Sequence, residues 1–297
     1  MNVAVIGAGV SGLTCAVLFV ERGDRVSIFA DEIGSQTTSA AAGAIWFPYD
    51  CEPREKVIAW ALRTREVLVD LARKPDSGVS IIKLRQFCRA GRIDMPDWAC
   101  SLGATGGENE FQMEVPLTDT TIYLDYLRKR FGGEIKCAHL ERLEDVDLAF
   151  DLVINCAGFG AKRLTNDPGL EPHRGQVAIV PKIDNVAGAI VCDDDPLMYV
   201  IPRAHDCLFG GTNELSEDRD VDLATRQLIV AECSRALKID PPKVIEDRVG
   251  IRPFRKSGVR LERGKLRDGR AVIHNYGHGG SGFTLSWGCA KEVVDLA

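Results

Sequence analysis

The stretch "NVAVIGAGVSGLTCAVLFVERGDRVSIFADE", residues 2–32, constrains the fold more than any other part of the chain. A short apolar strand, Val3–Ile6, runs into glycines at positions 7, 9 and 12. A helix from about Ser11 to Arg22 follows, then a second strand in "DRVSIF", with Asp31 at its end. Strand, glycine turn, helix, strand and terminal acid form the unit that binds dinucleotides. Gly7 permits the tight turn, Gly9 lets a pyrophosphate reach the backbone, and Gly12 lets helix and strand pack closely. Ala8, Val10 and Ser11 complete the loop and first turn, where free N–H groups and a partial positive charge suit phosphate. Asp31 suits a ribose diol. The unit does not distinguish NAD from FAD.

The rest of the chain removes several function classes. With 297 residues, 45% hydrophobic and 27% charged, it reads as an ordinary globular protein. No apolar run approaches the roughly 20 residues that span a bilayer. A net charge of -6, with no Lys/Arg block, argues against nucleic acid. Ten cysteines contain no C-x-x-C pair, and five scattered histidines offer no metal-ligand spacing, so no metal is expected. The thiols read as reduced, which implies a cytoplasmic protein.

Three further segments bear on the nucleotide. "SQTTSAAAGAIWFPY" follows the acid where a nicotinamide enzyme would begin another helix. Its small residues, among them Ala42, Gly43 and Ala44, let backbone lie against a planar ring, and Thr37 and Thr38 either bond the cofactor or cap the loop. "FDLVINCAGFGAKRL" supplies a buried strand, Leu152–Asn155, ending in Ala157 and Gly158. "HNYGHGGSGFTLSWGCA", residues 274–290, crowds four glycines before a helix, as where something approaches the backbone closely.

Taken with "RGQVAIV", "YVIP", "LFGGT" and "VGIRPFRKSGVRLE", these segments resemble the D-amino-acid oxidase family of flavoproteins, which includes D-aspartate oxidases. Residues 52–130 resemble it only loosely. The resemblance implies non-covalent FAD, with Leu140 near the adenine and Gly279, Gly280, Ser281, Gly282, Phe283 and Thr284 along the flavin. It implies that Arg252 and Tyr199 hold a substrate α-carboxylate and that the Gly280 carbonyl accepts from the amine. Arg252 also reaches the flavin end. A guanidinium fork matches a carboxylate with two parallel charge-assisted bonds. The implied reaction is hydride transfer from Cα to flavin N5, with dioxygen reoxidising the flavin to give hydrogen peroxide, a 2-oxo acid and ammonia.

Certain positions depart from the family pattern. "VCDDDPLMYVIP" is shorter than the usual lid and lacks a second tyrosine, which implies an open pocket. Asn213 stands where relatives carry an aromatic residue or, in acidic-substrate members, an arginine, so neutral D-amino acids are favoured. Arg203 or His205 remain candidates for a side-chain carboxylate. Phe47 replaces a common polar residue. Arg255 and Arg260 read as surface or interdomain charges.

The expected fold is α/β. A Rossmann-like FAD-binding domain (1–50, 132–175, 266–297) interleaves with an α+β substrate domain (51–131, 176–265) on a mixed or antiparallel sheet, its first part helical. The partners implied are a small D-amino acid and dioxygen, and a homodimer is open to the chain. D-aspartate oxidase, a glycine or amine oxidase or dehydrogenase, and a non-catalytic flavin-binding protein remain as alternatives; a nicotinamide dehydrogenase is disfavoured.

Overall fold

A computed structural model describes residues 1–49 and 51–297. Asp50, where the first expected segment ends, lies outside them. The chain opens with β1 (Asn2–Ile6), α1 (Val10–Glu21) and β2 (Arg25–Ala30), within a residue or so of the sequence reading. There follow α2 (Arg54–Leu71), β3 (Val79–Phe87), α3 (Asp97–Ser101), β4 (Thr105–Gly106), β5 (Glu110–Thr118), α4 (Thr120–Phe131), β6 (Glu134–Cys137) and β7 (Leu152–Asn155). Next come α5 (Ala161–Thr165), β8 (Leu170–Pro181), β9 (Gly188–Cys192), β10 (Met198–Pro202), β11 (Asp206–Gly210) and β12 (Glu214–Leu215). The chain closes with α6 (Leu223–Leu237), β13 (Glu246–Arg255), β14 (Arg260–Lys265), β15 (Ala271–Tyr276) and α7 (Gly282–Leu296).

Two sheets organise these elements. The first has six strands in the order β14-β15-β7-β1-β2-β6, parallel except for the β14–β15 pair. Val3, Ala4, Val5, Val153 and Ile154 are wholly buried, as in a parallel sheet covered on both faces. Helix α1 packs between this sheet and α7, with Phe19, Ala16 and Cys289 among the buried contacts. Each large apolar side chain so buried contributes about 1.5–3 kcal/mol. The second sheet has nine strands in the order β12-β8-β11-β10-β9-β3-β5-β4, with β13 on the other flank of β8. It is antiparallel apart from β3–β9. This is the expected Rossmann-like sheet with an interleaved mixed one.

The expectation that residues 51–131 are helical is corrected. They contain β3 and β5, paired antiparallel over nine positions. In "EFQMEVPLT" Phe111, Met113, Val115 and Leu117 alternate into the core at 0–5% exposure, a strand period. The sheets also change hands away from the expected boundaries. Position 175/176 falls inside β8, and 265/266 separates β14 from the sheet in which it pairs. Helices α2 and α4 pack on α7 and α1 respectively. No helix among the described residues is long and apolar enough to cross a membrane.

Candidate cofactor and substrate site

A cavity of about 530 Å³ is walled by both sheets. One end is built by the first strand–turn–helix unit. Gly7 turns the chain at φ 106°, a left-handed value, and a side chain there would collide with the Cys156 carbonyl of β7's end. At the start of α1 the Val10 N–H donates to Ser39 Oγ at 3.0 Å. Among the described residues nothing accepts from the N–H groups of Ser11 and Gly12. Asp31, Glu32, His139, Leu140 and Arg163 surround this end. The Asp31 carboxylate meets His139 Nδ1 at 2.7 Å. That bond, and a second to Glu141, raise the histidine's pKa.

Residues 37–49 run from this end along the wall. Thr37 and Thr38 line it, their hydroxyls donating to the Gly34 and Ile251 carbonyls. Ala42, Gly43 and Ala44 follow, and the Ala44 carbonyl is pinned by Thr118 N and Oγ1 at 3.1 and 3.0 Å. The strap is then fastened to the start of α7. Thr284 Oγ1 accepts from Phe47 N and donates to its carbonyl, both at 3.1 Å. Ser281 Oγ does the same for Tyr49, at 3.0 and 2.5 Å. Ser281 is therefore fully buried behind the wall and fastens it, whereas Gly279, Gly280, Gly282, Phe283 and Thr284 line the cavity. His278, also on the wall, bonds Asn275 through Nε2 at 3.0 Å; burial lowers its pKa to about 4, so it is neutral.

The other end gathers the substrate candidates. Arg252 on β13 sits opposite His173 on β8. Its guanidinium lies over Gly175, where a methyl group would come within 2.6 Å of Cζ. Nη1 donates to the Thr212 carbonyl at 2.8 Å, and Asn213 Oδ1 stands 3.5 Å away while meeting His173 Nδ1 at 3.1 Å. Tyr199 on β10 faces Gly210 across the β10–β11 ladder, with its hydroxyl over Gly211. Burial pushes the Tyr199 phenol up, opposed by Arg252 beside it, so the hydroxyl is protonated and available as a donor. Tyr49 packs against the Gly280 backbone.

Arg252, Tyr199, Asn213 and Gly280 thus share one cavity with Gly7–Ser11, Asp31, Leu140, Ala157 and Gly158. Arg203 and His205 do not reach it: Arg203 is held by Asp206 at 2.6 and 2.8 Å, and neither lines the wall. Sequence reasoning missed Ser39, Tyr49, Gly175, Gly211 and Asp193. The glycines in "RGQ" and "GGT" were visible only as family marks, because the side chains that need their space come from other strands.

A nucleotide turn with unsatisfied first-turn amides, an acid at the second strand and a small-residue strap along a cavity fit an extended flavin dinucleotide. Residues 2–112 and 120–296 match the FAD dependent oxidoreductase (DAO) family, and the chain belongs to it; FAD is its cofactor. Among curated relatives, D-amino-acid oxidase of Rubrobacter xylanophilus is 36% identical, with 99% of this chain and 94% of that protein covered. D-amino-acid oxidase of Streptomyces coelicolor is 38% identical, with 100% and 96% covered. Among solved structures, glycine oxidase from Bacillus cereus has the same fold, with a TM-score of 0.79 at 18% identity over 99% of this chain and 94% of that one.

Proposed function

We propose that this chain is a FAD-dependent D-amino-acid oxidase that takes neutral D-amino acids in preference to acidic ones. The observation that carries the reading is the placement of the Arg252 fork and the Tyr199 hydroxyl in one cavity with the Gly279–Thr284 loop. The full-length relatives named D-amino-acid oxidase support it.

Residues around Gly7–Ser11, Asp31, Thr37, Thr38, Leu140, Ala157 and Gly158 would hold the nucleotide half of FAD. Ala42–Ala44 and Gly279–Thr284 would flank the ring, with Ser281 fastening that wall. Bound FAD supplies two-electron oxidation of the amine to an imine and passes the electrons to dioxygen as hydrogen peroxide. Arg252 binds the substrate carboxylate bidentately, and its Thr212 anchor limits the entropy lost on binding. Tyr199 donates to the same carboxylate, and the Gly280 carbonyl accepts from the amine. Three fixed points select one hand at Cα, and orientation contributes much of the rate. No side chain is required to take a proton from Cα. Hydrolysis of the imine gives the 2-oxo acid and ammonia.

The alanines and Phe47 make this end apolar, and the other arginines among the described residues of the wall, Arg163 and Arg219, pair with Glu141 and Glu32 toward the nucleotide end, away from a second carboxylate on the substrate. The same reading includes a cytoplasmic location, supported by cysteines without a C-x-x-C pair and mostly buried in apolar surroundings, and a homodimer, the commonest symmetric assembly. Its domain division remains two interleaved units with one sheet each.

The test is anaerobic. D-alanine added to the FAD-loaded protein should bleach the visible flavin band, while L-alanine and glycine leave it unchanged, and air should restore it with peroxide released. A flavin that no D-amino acid bleaches would overturn the reading.

A further inference from the structure

The cavity wall carries three carboxylates among the described residues: Asp31, Glu32 and Asp193. Asp31 and Glu32 stand at the nucleotide end and are matched there, by His139 and Arg219. Asp193 stands at the other end. It follows β9 directly, and β9 pairs antiparallel with β10 so that Val191 lies opposite Tyr199. Alternation along an extended chain puts Val191 and Asp193 on one face, and Tyr199 and Leu197 on the facing positions. All four line the cavity. Asp193 is thus two residues, about 7 Å, beyond the residue opposite Tyr199.

Its surroundings are specific. From the neighbouring strand β3, Gln86 Nε2 donates to Asp193 Oδ2 at 2.8 Å and fixes the carboxyl group. No Lys, Arg or His pairs with Asp193 among the described residues. Asp194, next in sequence, is turned away and accepts from the Arg89 backbone N–H, while the Arg89 side chain donates to the Asp194 and Pro196 carbonyls. Asp193 is exposed to the open cavity, and partial desolvation by the surrounding protein and the Asp194 charge raise its pKa.

One end of the cavity therefore presents a cation for the α-carboxylate and, a side-chain length away, an oriented anion with no counter-charge. We infer that Asp193 selects D-amino acids whose side chains end in a cation, of the lysine or arginine kind. The inference rests on the oxidase reading above and deepens it. A four-carbon ammonium or a guanidinium stem spans the step from Tyr199 to Asp193 along the apolar faces of Val191 and Leu197. The same carboxylate repels a substrate carboxylate, which adds a repulsive element to the missing arginine at Asn213.

The experiment compares substrates of similar shape and different charge in the FAD-loaded enzyme. D-arginine is set against D-citrulline, and D-lysine against D-norleucine, by kcat/KM for peroxide release. Each cationic member should be favoured about tenfold or more, the discrimination expected of one charge-assisted hydrogen bond. Asp193→Asn keeps the shape and the Gln86 contact, and should bring both ratios to within about twofold of unity. Asp193→Lys should invert them and admit D-glutamate. Because each ratio is taken within one protein sample, a loss of folded fraction cancels. If D-norleucine and D-citrulline are oxidised but the ratios are near one in the parent, or unchanged in Asp193→Asn, the role of Asp193 is overturned and the oxidase reading stands. If none of the D-amino acids is oxidised, both fall.

Discussion

At the scale of single residues the site depends on side chains that are absent. Gly175 leaves the volume that the Arg252 guanidinium fills, and Gly211 leaves that of the Tyr199 hydroxyl. Gly175 is a paired-strand position, opposite Gly250, where a β-branched residue would ordinarily serve better. Gly175→Ala should displace the guanidinium and raise KM for D-alanine by about 10- to 100-fold, the value of a charge-assisted bond. The flavin spectrum should persist, since Gly175 is remote from the Gly7–Ser11 turn in the chain. An unaltered KM, measured by peroxide release against substrate concentration, would show that the guanidinium does not need that volume. Gly7 was readable from sequence because its cause is local, a turn of positive φ inside one motif. Gly175 was not, because its cause sits on β13, a strand much later in the chain.

At the scale of elements, a latch joins the ends of β13, β15 and α5. The Asp167 carboxylate accepts from Arg255 Nε and from the Tyr276 hydroxyl, both at 2.9 Å. Arg260 Nη1 donates to the same tyrosine at 2.7 Å. Burial would raise the Asp167 pKa, but Arg255, the tyrosine and the Gly169 N–H outweigh it and hold the carboxyl low. Stability from this group is present above the usual carboxylate range and is lost as pH falls through its lowered pKa. Asp167→Ala leaves Arg255 largely buried without its partner and should cost about 3 kcal/mol. Urea unfolding at neutral pH measures this, and a loss below about 0.5 kcal/mol would mean that the latch is not strained by the change. Arg255 and Arg260 read as surface or interdomain charges in the sequence. Their partners come from distant segments, so linear context could not reveal the latch. Elements with strong local signals were legible: α1, β2 and β7 lie where periodicity and glycines put them. β5 alternates clearly at a period of two, but it lies within 52–130, where the resemblance to the family is loose and gives no strand mark.

At the scale of the whole molecule, two buried histidines set an acid limit. Burial takes both His274 and His278 to about 4, so they are neutral in the folded protein and titrate near 6.5 once unfolded. The unfolded chain binds protons first as pH falls, so folding stability declines from about pH 6.5 to about 4. Each histidine should remove about 2 kcal/mol by pH 5, before most carboxylates begin to protonate. Chemical unfolding at pH 7 and pH 5 would check this, and equal stability at the two values would mean that the rings charge within the fold. The α/β class and the interleaving were legible at this scale, since the dinucleotide unit and the C-terminal glycine run lie at opposite ends of the chain yet line one cavity. The hand-over points between sheets were not, because strand membership depends on partners rather than on composition. The order of the strands carries one more consequence. β1 lies beside β7, β7 beside β15, and the strap bonds Ser281 and Thr284 at Tyr49 and Phe47. A chain made from its N-terminus exposes the Gly7–Ser11 turn well before the facing wall at residues 279–284. Until residues 279–284 have been made the cavity lacks one of its walls, so a nascent chain halted before them is expected to retain no FAD.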